Sequence, residues 1–392
     1  MLKWAQGTLS AVTGMAEPEY GPDAIHPITD SVKNKNPMRL TTNDDFKWIA
    51  PLTTNVETQT FYFTDLKSGN LGFAQIIHSV VSSVYTTAQF TFRLYNKEND
   101  ELNTWTSTNL EDFVIKGTNF YAKNLSIELV DDGNTYVLKS AVTEESIVNL
   151  TVKKIAPGVL VGKDGTTLYG TDVTNPWGSM RHAFWPRNSV TGTIELKSKE
   201  KKIEINGYSM FVAAMQGMKP HHAAAAWNFL NFQSETYSAV QMEFTTPNSY
   251  AKTKVNVGIL VKNDKILSVS VNNKISHLDN DVDEVGWPVP KRVEIDFKGI
   301  ESTATDDDVE KGTAKVVVAK CVGDLSTLVE RVDVMGEIPG FVKTIAGAVS
   351  GTKPYIYQFA NELTLEVEDD GKSETAKGLA WTEVTFISDI SD

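Results

Sequence analysis

The chain has 392 residues, of which 41% are hydrophobic and 22% charged, a composition that folds and is long enough for two cores. Its net charge of -13, with no Lys/Arg cluster interleaved with aromatics, repels phosphate backbones and sets nucleic acid aside as a partner. The single cysteine, Cys321, excludes an intramolecular disulfide and any cysteine-based metal site. No apolar stretch is long enough for a membrane-crossing helix, and Met1-Leu2-Lys3-Trp4 does not open a secretory signal, so a reducing, cytosolic setting is expected.

The first element is an amphipathic helix over 1–16. Met1, Leu2, Trp4, Ala5, Leu9, Ala11, Val12 and Met15 share one half of a 100° wheel, and Glu17-Pro18 stops the helix. Lys3 is the only charge on the polar half, so membrane contact would rest on apolar insertion and be weak and reversible. Met1, Leu2, Trp4, Leu9 and Val12 are the candidate membrane-inserting residues; packing of this helix on the chain's own body is the competing reading. Residues 17–40 hold Pro18, Pro22, Pro27 and Pro37 with few apolar anchors and read as a Pro-rich linker.

The body then reads as strands, twice. Runs at 45–52, 58–66, 71–81, 84–95, 125–130, 134–142 and 147–155 are β-rich and separated by turn signals. In 84–95 the alternation is plain: Ala88, Phe90, Phe92 and Leu94 fall on one side, Thr87, Gln89, Thr91 and Arg93 on the other. A second series runs from 190–196 through 202–214, 237–246, 254–262, 265–273, 291–299, 314–320 and 356–368 to 380–388. The expected fold is all-β, with two tandem antiparallel barrels: an N-terminal domain over 41–218 and a C-terminal one over 219–392. Small closed barrels either pack their interior or enclose one small ligand.

Motifs for nucleotide, phosphate or serine-hydrolase chemistry do not occur, and no cofactor is implied. Asp279-Asn280-Asp281-Val282-Asp283 opens like a calcium loop, but Glu284 stands where glycine is needed, and a solvated acidic loop is expected. His221-His222 cannot converge on one metal from a strand or a helix, so no metal site is expected. Two segments are too rich in aromatic and small residues for ordinary surface: 175-NPWGSMRHAFWPR-187 and 207-GYSMFVAAMQGMKPHHAAAAWNFLNFQS-234. They read either as interdomain packing or as the wall of an apolar ligand site, with Trp177, Trp185, Met210, Phe211, Met215, Trp227 and Phe229 as candidate ligand contacts.

These two segments, together with the start 1-MLKWAQGTLSAVTGMAEPEYG-21, resemble the fungal survival factor family over the whole chain length. The resemblance implies two lipocalin-like domains and a membrane-binding N-terminal helix, with an acetylated Met-Leu start. It further implies non-enzymatic binding and transfer of ceramide between endoplasmic reticulum and Golgi, supporting sphingolipid homeostasis and oxidative-stress survival. The implied location is cytoplasmic and peripheral to those membranes, with the nucleus as a further site. The tandem layout is also similar to bacterial carotenoid hydratase relatives, which keeps open an isoprenoid- or lipid-modifying enzyme using His221, His222 and Trp227. A stress-response scaffold with acidic protein-binding loops is the third reading.

Overall fold

The computed structural model describes residues 19–388 apart from 54, 82–84, 131, 219, 338–352 and 370. The expected helix over 1–16, with Met1, Leu2, Trp4, Leu9 and Val12, lies outside the described residues.

Two antiparallel sheets carry the fold. The first draws on β1 (Ile25–His26), β2 (Met38–Leu40), β3 (Asn55–Asp65), β4 (Asn70–Val81), β5 (Tyr85–Asn96), β6 (Thr104–Asn109), β7 (Val114–Lys116), β8 (Asn119–Ala122) and β9 (Leu125–Leu129). It continues with β10 (Thr135–Ser140), β11 (Ile147–Lys154), β12 (Val159–Val161), β13 (Thr166–Tyr169), β14 (Gly178–Leu196) and β15 (Lys201–Gln216). The second draws on β16 (Ala226–Gln233), β17 (Tyr237–Thr245), β18 (Lys254–Lys262), β19 (Lys265–Ser270) and β20 (Lys274–Leu278). After the small ribbon β21 (Asp281–Val282) and β22 (Pro288–Val289) it resumes with β23 (Arg292–Glu301), β24 (Val316–Asp324), β25 (Leu328–Asp333), β26 (Tyr355–Asp369) and β27 (Lys372–Phe386).

The second sheet closes on itself. Eight strands run in the ring β16-β17-β18-β19-β23-β24-β26-β27, sealed by the β19–β23 pairing at Ser268↔Glu301 and Val269↔Ile300. The first sheet runs β6-β5-β4-β3-β15-β14-β11-β10-β9-β8-β7 and curls into a half-barrel whose end strands, β6 and β7, do not pair with each other. All-β organisation and the tandem layout are therefore as expected.

Period-two alternation builds three apolar layers. Phe61, Phe63, Ala74, Ile76, Phe90, Phe92, Leu138, Leu150, Trp185 and Phe211 fill the inside of the first sheet. Leu230, Phe232, Leu260, Ile295, Phe297, Cys321, Leu365 and Val384 fill the second. Between the sheets, Tyr62, Phe73, Met180, Phe184, Met210 and Val212 meet Val240, Met242, Phe244, Val257, Ile259 and Trp381. A bulge in β14 marks the joint: Trp185 pairs with Phe211 and Asn188 with Ser209, so Pro186 and Arg187 oppose the single residue Met210. Proline has no N–H for the ladder, and the extra residue reverses which positions of β14 face inward. Arg181, Ala183 and Trp185 face in before it, Val190 and Ile194 after it.

Three expectations are corrected. Residues 22–40 are not a linker but a strap across both sheets. Pro22 opens a 3-10 turn (Pro22–Ala24), Pro27 precedes a helical turn (Ile28–Ser31), and Ala24, Ile25, Ile28 and Val32 are buried between the sheets. β1 pairs with β13 and β2 with β12, while Asn36 Nδ2 donates to Ala304 O at 2.7 Å in the second barrel. The prolines preset φ for turns here rather than stiffening a free chain. Residues 45–52 are not a strand: Thr42 and Asp45 form a capping box that winds Asn43–Phe46 into a 3-10 turn and drives Phe46 into the first core. The acidic segment 279–284 is likewise not simply solvated. Asp283 accepts the backbone N–H groups of Val285, Gly286 and Trp287, each at 3.0 Å, and bonds Tyr357 and Arg331.

Candidate functional site

Where β6 gives way to β7, the first sheet is open, and a cleft of about 720 Å³ lies there. Its apolar walls are Val80 of β4, Ala88 of β5, Leu110 and Phe113 of the β6–β7 connection, Ile115 of β7, and Pro51-Leu52 ahead of β3, with Thr86, Thr87 and Asn109 as polar members. The start of the connection is held by Leu110 N–H to Ala88 O at 2.8 Å and Lys123 N–H to Glu111 O at 2.9 Å. At its edge Leu52 is 85% exposed. A largely apolar concavity of this size is in the range that takes a small-molecule ligand.

An aromatic group lies behind the cleft. Trp48 sits 4.8 Å from Phe120 and 5.0 Å from the His78 ring, and His78 stacks on Phe113 at 5.7 Å, ring centre to ring centre. His78 lines the cleft, is 4% exposed, and its Nδ1 has no hydrogen-bond partner among the described residues; nor has Trp48 Nε1. Burial pushes the His78 imidazole below its ordinary range, so at neutral pH it carries one donor and one acceptor.

Directly across the ladder from His78 stands Glu57 of β3. Its carboxylate accepts from Ile49 N–H at 2.6 Å, Ala50 N–H at 3.2 Å and Asn55 Nδ2 at 3.2 Å. Burial raises its pKa, and those three bonds and Arg181 pull it back. Arg181 is itself committed: Nε donates to Asp164 O at 2.8 Å, Nη1 to Asp45 O at 2.9 Å, and Nη2 lies 3.4 Å from the Asp45 carboxylate.

The sequence-predicted ligand contacts do not converge on one wall. Trp185 and Phe211 are fully buried inside the first sheet, 5.4 Å apart edge to face, and Phe211 stacks on Phe61 at 4.4 Å. They pack that interior instead of lining an open space. Met210, adjacent to Phe211, points to the opposite face, into the layer between the sheets, together with Trp177, Trp227 and Phe229. Met215 is buried beside Ser179, whose hydroxyl lies 3.8 Å from its sulfur. The ring of His222 lies 5.6 Å from Trp177 and 6.1 Å from Tyr20. His221's side chain falls outside the described part.

The second barrel has a polar interior of its own. Glu243 accepts from Asn228 Nδ2 at 3.2 Å and Asn256 Nδ2 at 2.7 Å, and Asn273 Nδ2 donates to Asn256 Oδ1 at 2.6 Å. Gly258 lets this network close: a Cβ there would come within 2.5 Å of Ser270 Oγ and 2.6 Å of Asn273 Nδ2. Among the described residues, no helix is long and apolar enough to cross a membrane, and no cluster of three His, Cys, Asp or Glu could hold a metal. His78, Trp48, Phe113 and Leu52 were missed from the sequence, where an isolated histidine in a strand carries no spacing signal. The run Ile49-Ala50-Pro51-Leu52, apolar yet interrupted by proline, is the signal that could have found the rim.

A curled antiparallel sheet packed on a closed eight-stranded barrel, with an apolar cleft at its open seam, defines a tandem lipocalin-like protein. The chain belongs to the Svf1 family, whose model matches residues 2–388. It is 61% identical over 391 residues to the ceramide-binding protein SVF1 of Debaryomyces hansenii, covering 99% of this chain and 100% of that one. With the ceramide-binding protein SVF1 of Candida albicans it shares 56% identity over 395 residues, at 99% and 100% coverage. Among solved structures it is similar to an AttH-type protein of Nitrosomonas europaea, with TM-score 0.55 and 12% identity over 89% of this chain and 97% of that one. Kievitone hydratase of Nectria haematococca gives TM-score 0.54 and 12% identity, covering 89% and 94%. At such identities the likeness is one of fold alone. The family resemblance read from the sequence is borne out.

Proposed function

We propose that this protein is a non-enzymatic carrier that holds a ceramide-class lipid in the seam cleft of the first sheet. One observation carries the reading: an apolar cleft of about 720 Å³ at the break in the strand ladder, in a chain whose relatives are named for ceramide binding. Burying an acyl chain there gains roughly 25 cal/mol for each Å² of apolar surface removed from water. The second barrel, closed and internally bonded, serves as the rigid support on which the first sheet rests. In this reading the two lipocalin-like domains meet near residues 218–219, and the helix over 1–16 docks reversibly on membranes through Leu2, Trp4, Leu9 and Val12. Acetylation at the Met-Leu start would remove the amine charge beside that apolar face. The carrier would shuttle between endoplasmic reticulum and Golgi surfaces from the cytoplasm, with the nucleus as a further location, supporting sphingolipid homeostasis and oxidative-stress survival.

Native mass spectrometry of the purified full chain tests the carrier. A bound lipid is expected in the wild type and its loss in Ala88→Trp, which fills the cleft from β5. Absence of lipid from the wild type, or undiminished binding by Ala88→Trp, would overturn the assignment. Liposome flotation of the Leu2→Asp/Leu9→Asp double variant tests the helix; unchanged flotation would sink its role.

A further inference from the structure

The void between the sheets offers little room, whereas the seam cleft combines open volume with buried polar atoms that have no partner among the described residues. Accepting the cleft as the lipid site, we propose that His78, which lines it, and Trp48, packed behind His78, recognise an uncharged head bearing both a hydrogen-bond donor and an acceptor. The lipid then sits head inward, with its chains running outward past Ile115 and over Leu52.

Three observations carry this. First, an imidazole and an indole lie 5.0 Å apart, centre to centre, in an otherwise apolar aromatic group, and His78 Nδ1 and Trp48 Nε1 both lack a partner among the described residues. A buried polar atom left unmet costs about 1–3 kcal/mol, so an occupant that meets these two regains part of that cost. Second, the chemistry offered suits a hydroxyl or an amide: a neutral imidazole gives one donor and one acceptor, the indole a donor. Third, the local charge is wrong for an anion. The Glu57 carboxylate stands opposite His78 on the neighbouring strand, and directly opposed Cβ atoms are about 5 Å apart. The nearby cation, Arg181, already spends its donors on Asp45 and Asp164. A phosphate or fatty-acid carboxylate would enter this floor beside a carboxylate and without a free cation. Outward, the walls run through Val80, Ala88 and Ile115 to the exposed Leu52.

The experiment is a chain-matched competition on the full-length protein. The probes are a fluorescent N-acyl sphingosine, the corresponding free fatty acid and the corresponding phosphatidic acid. The wild type should prefer the uncharged amide. His78→Phe, which keeps the ring's bulk, should weaken amide binding about five- to tenfold, the size of one neutral hydrogen bond. His78→Gln should recover part of that loss. Unchanged amide affinity and selectivity in a folded His78→Phe would overturn the head-inward assignment. Where His78→Phe does not fold, photocrosslinking of the wild type decides. A diazirine at the lipid head should label residues around 48 and 78, and one at the chain end residues around 52 and 115. The reverse pattern would overturn the proposal. Retained binding in Ala88→Trp would instead reject the cleft itself, so the two failures are distinguishable.

Discussion

Arg187, raised out of the β14 ladder by the bulge beside Pro186, lies 4.0 Å over the ring of Tyr208 while reaching across to the second barrel. There its Nη1 donates to Ser234 O at 3.0 Å and Ser238 Oγ at 2.8 Å, and Nη2 donates to Glu235 O at 2.7 Å. The stack holds the guanidinium flat, so one residue bonds three neighbours on the partner barrel with little conformational entropy left to lose. Removing it takes that donor from the carbonyl of the buried Ser234, while Glu235 O keeps the Tyr208 hydroxyl at 3.1 Å. Arg187→Ala should therefore cost on the order of 3 kcal/mol, read as a lowered urea midpoint. Arg187→Lys should recover only part, because an ammonium neither stacks nor forks. A midpoint within error of wild type for Arg187→Ala would show that this contact does not join the barrels.

Phe211 tests whether the first sheet's interior is packed or open. It is fully buried, stacked on Phe61 at 4.4 Å and in contact with Trp185 and Tyr136. Phe211→Ala should destabilise by about 3–5 kcal/mol, with most of the loss arising from the cavity it leaves. Were Phe211 part of a ligand wall instead, truncation would cost less stability and change lipid binding directly. Comparing chemical unfolding with lipid affinity in the same variant separates the two.

The all-β character and most strand positions were legible because alternation is local: Phe90, Phe92 and Leu94 alternate with Thr91 and Arg93, and β5 appears where they do. What escaped is long-range. Nothing local in β6 or β7 says that these two strands fail to pair, yet that failure makes the cleft. Met210 and Phe211 look alike as neighbours in a sequence motif, but period two sends them to different cores. The prolines of 22–40 were read as spacers because their apolar partners, Ile25, Ile28 and Val32, are few and their contacts lie on β13 and the second barrel. Likewise Phe46 follows from a capping box, Thr42 with Asp45, that outweighed the β-like residues around it.

Acid should destabilise the fold through its buried histidines, His182 and His277 above all. Burial, and then the Arg181 charge, bring His182 down to about 4; burial, and then Lys254, bring His277 to about 4. Each has a folded pKa below its unfolded value near 6.5, so the unfolded chain binds the extra proton first as pH falls. Their stabilising contribution is complete above about pH 6.5 and is lost between there and about pH 4, at no more than roughly 3 kcal/mol per site. Thermal midpoints measured from pH 7.5 to 4.5 should fall, and His182→Gln should flatten the slope. An unchanged slope in His182→Gln would mean that His182 takes up its proton at the same pH folded and unfolded.

The strap gives a prediction that a linker would not. Backbone pairing of Ile25 and His26 with β13, and of Met38 to Leu40 with β12, ties residues 22–40 to the first sheet. Asn36 ties them to the second barrel through Ala304 O at 2.7 Å and the Asp306 carboxylate at 2.9 Å. Ile28, buried between the sheets, anchors the middle. Amides in these pairings should therefore exchange with solvent through openings comparable to those of β12 and β13, not at the rate of free chain. Ile28→Ala should cost about 2–5 kcal/mol if the site cannot collapse. It should also speed exchange over 25–40 more than over β26 and β27, because the strap would loosen before the second barrel opens. Hydrogen–deuterium exchange by mass spectrometry reads both effects, and coil-like exchange over 25–40 in the wild type would restore the linker reading and remove the strap from the fold.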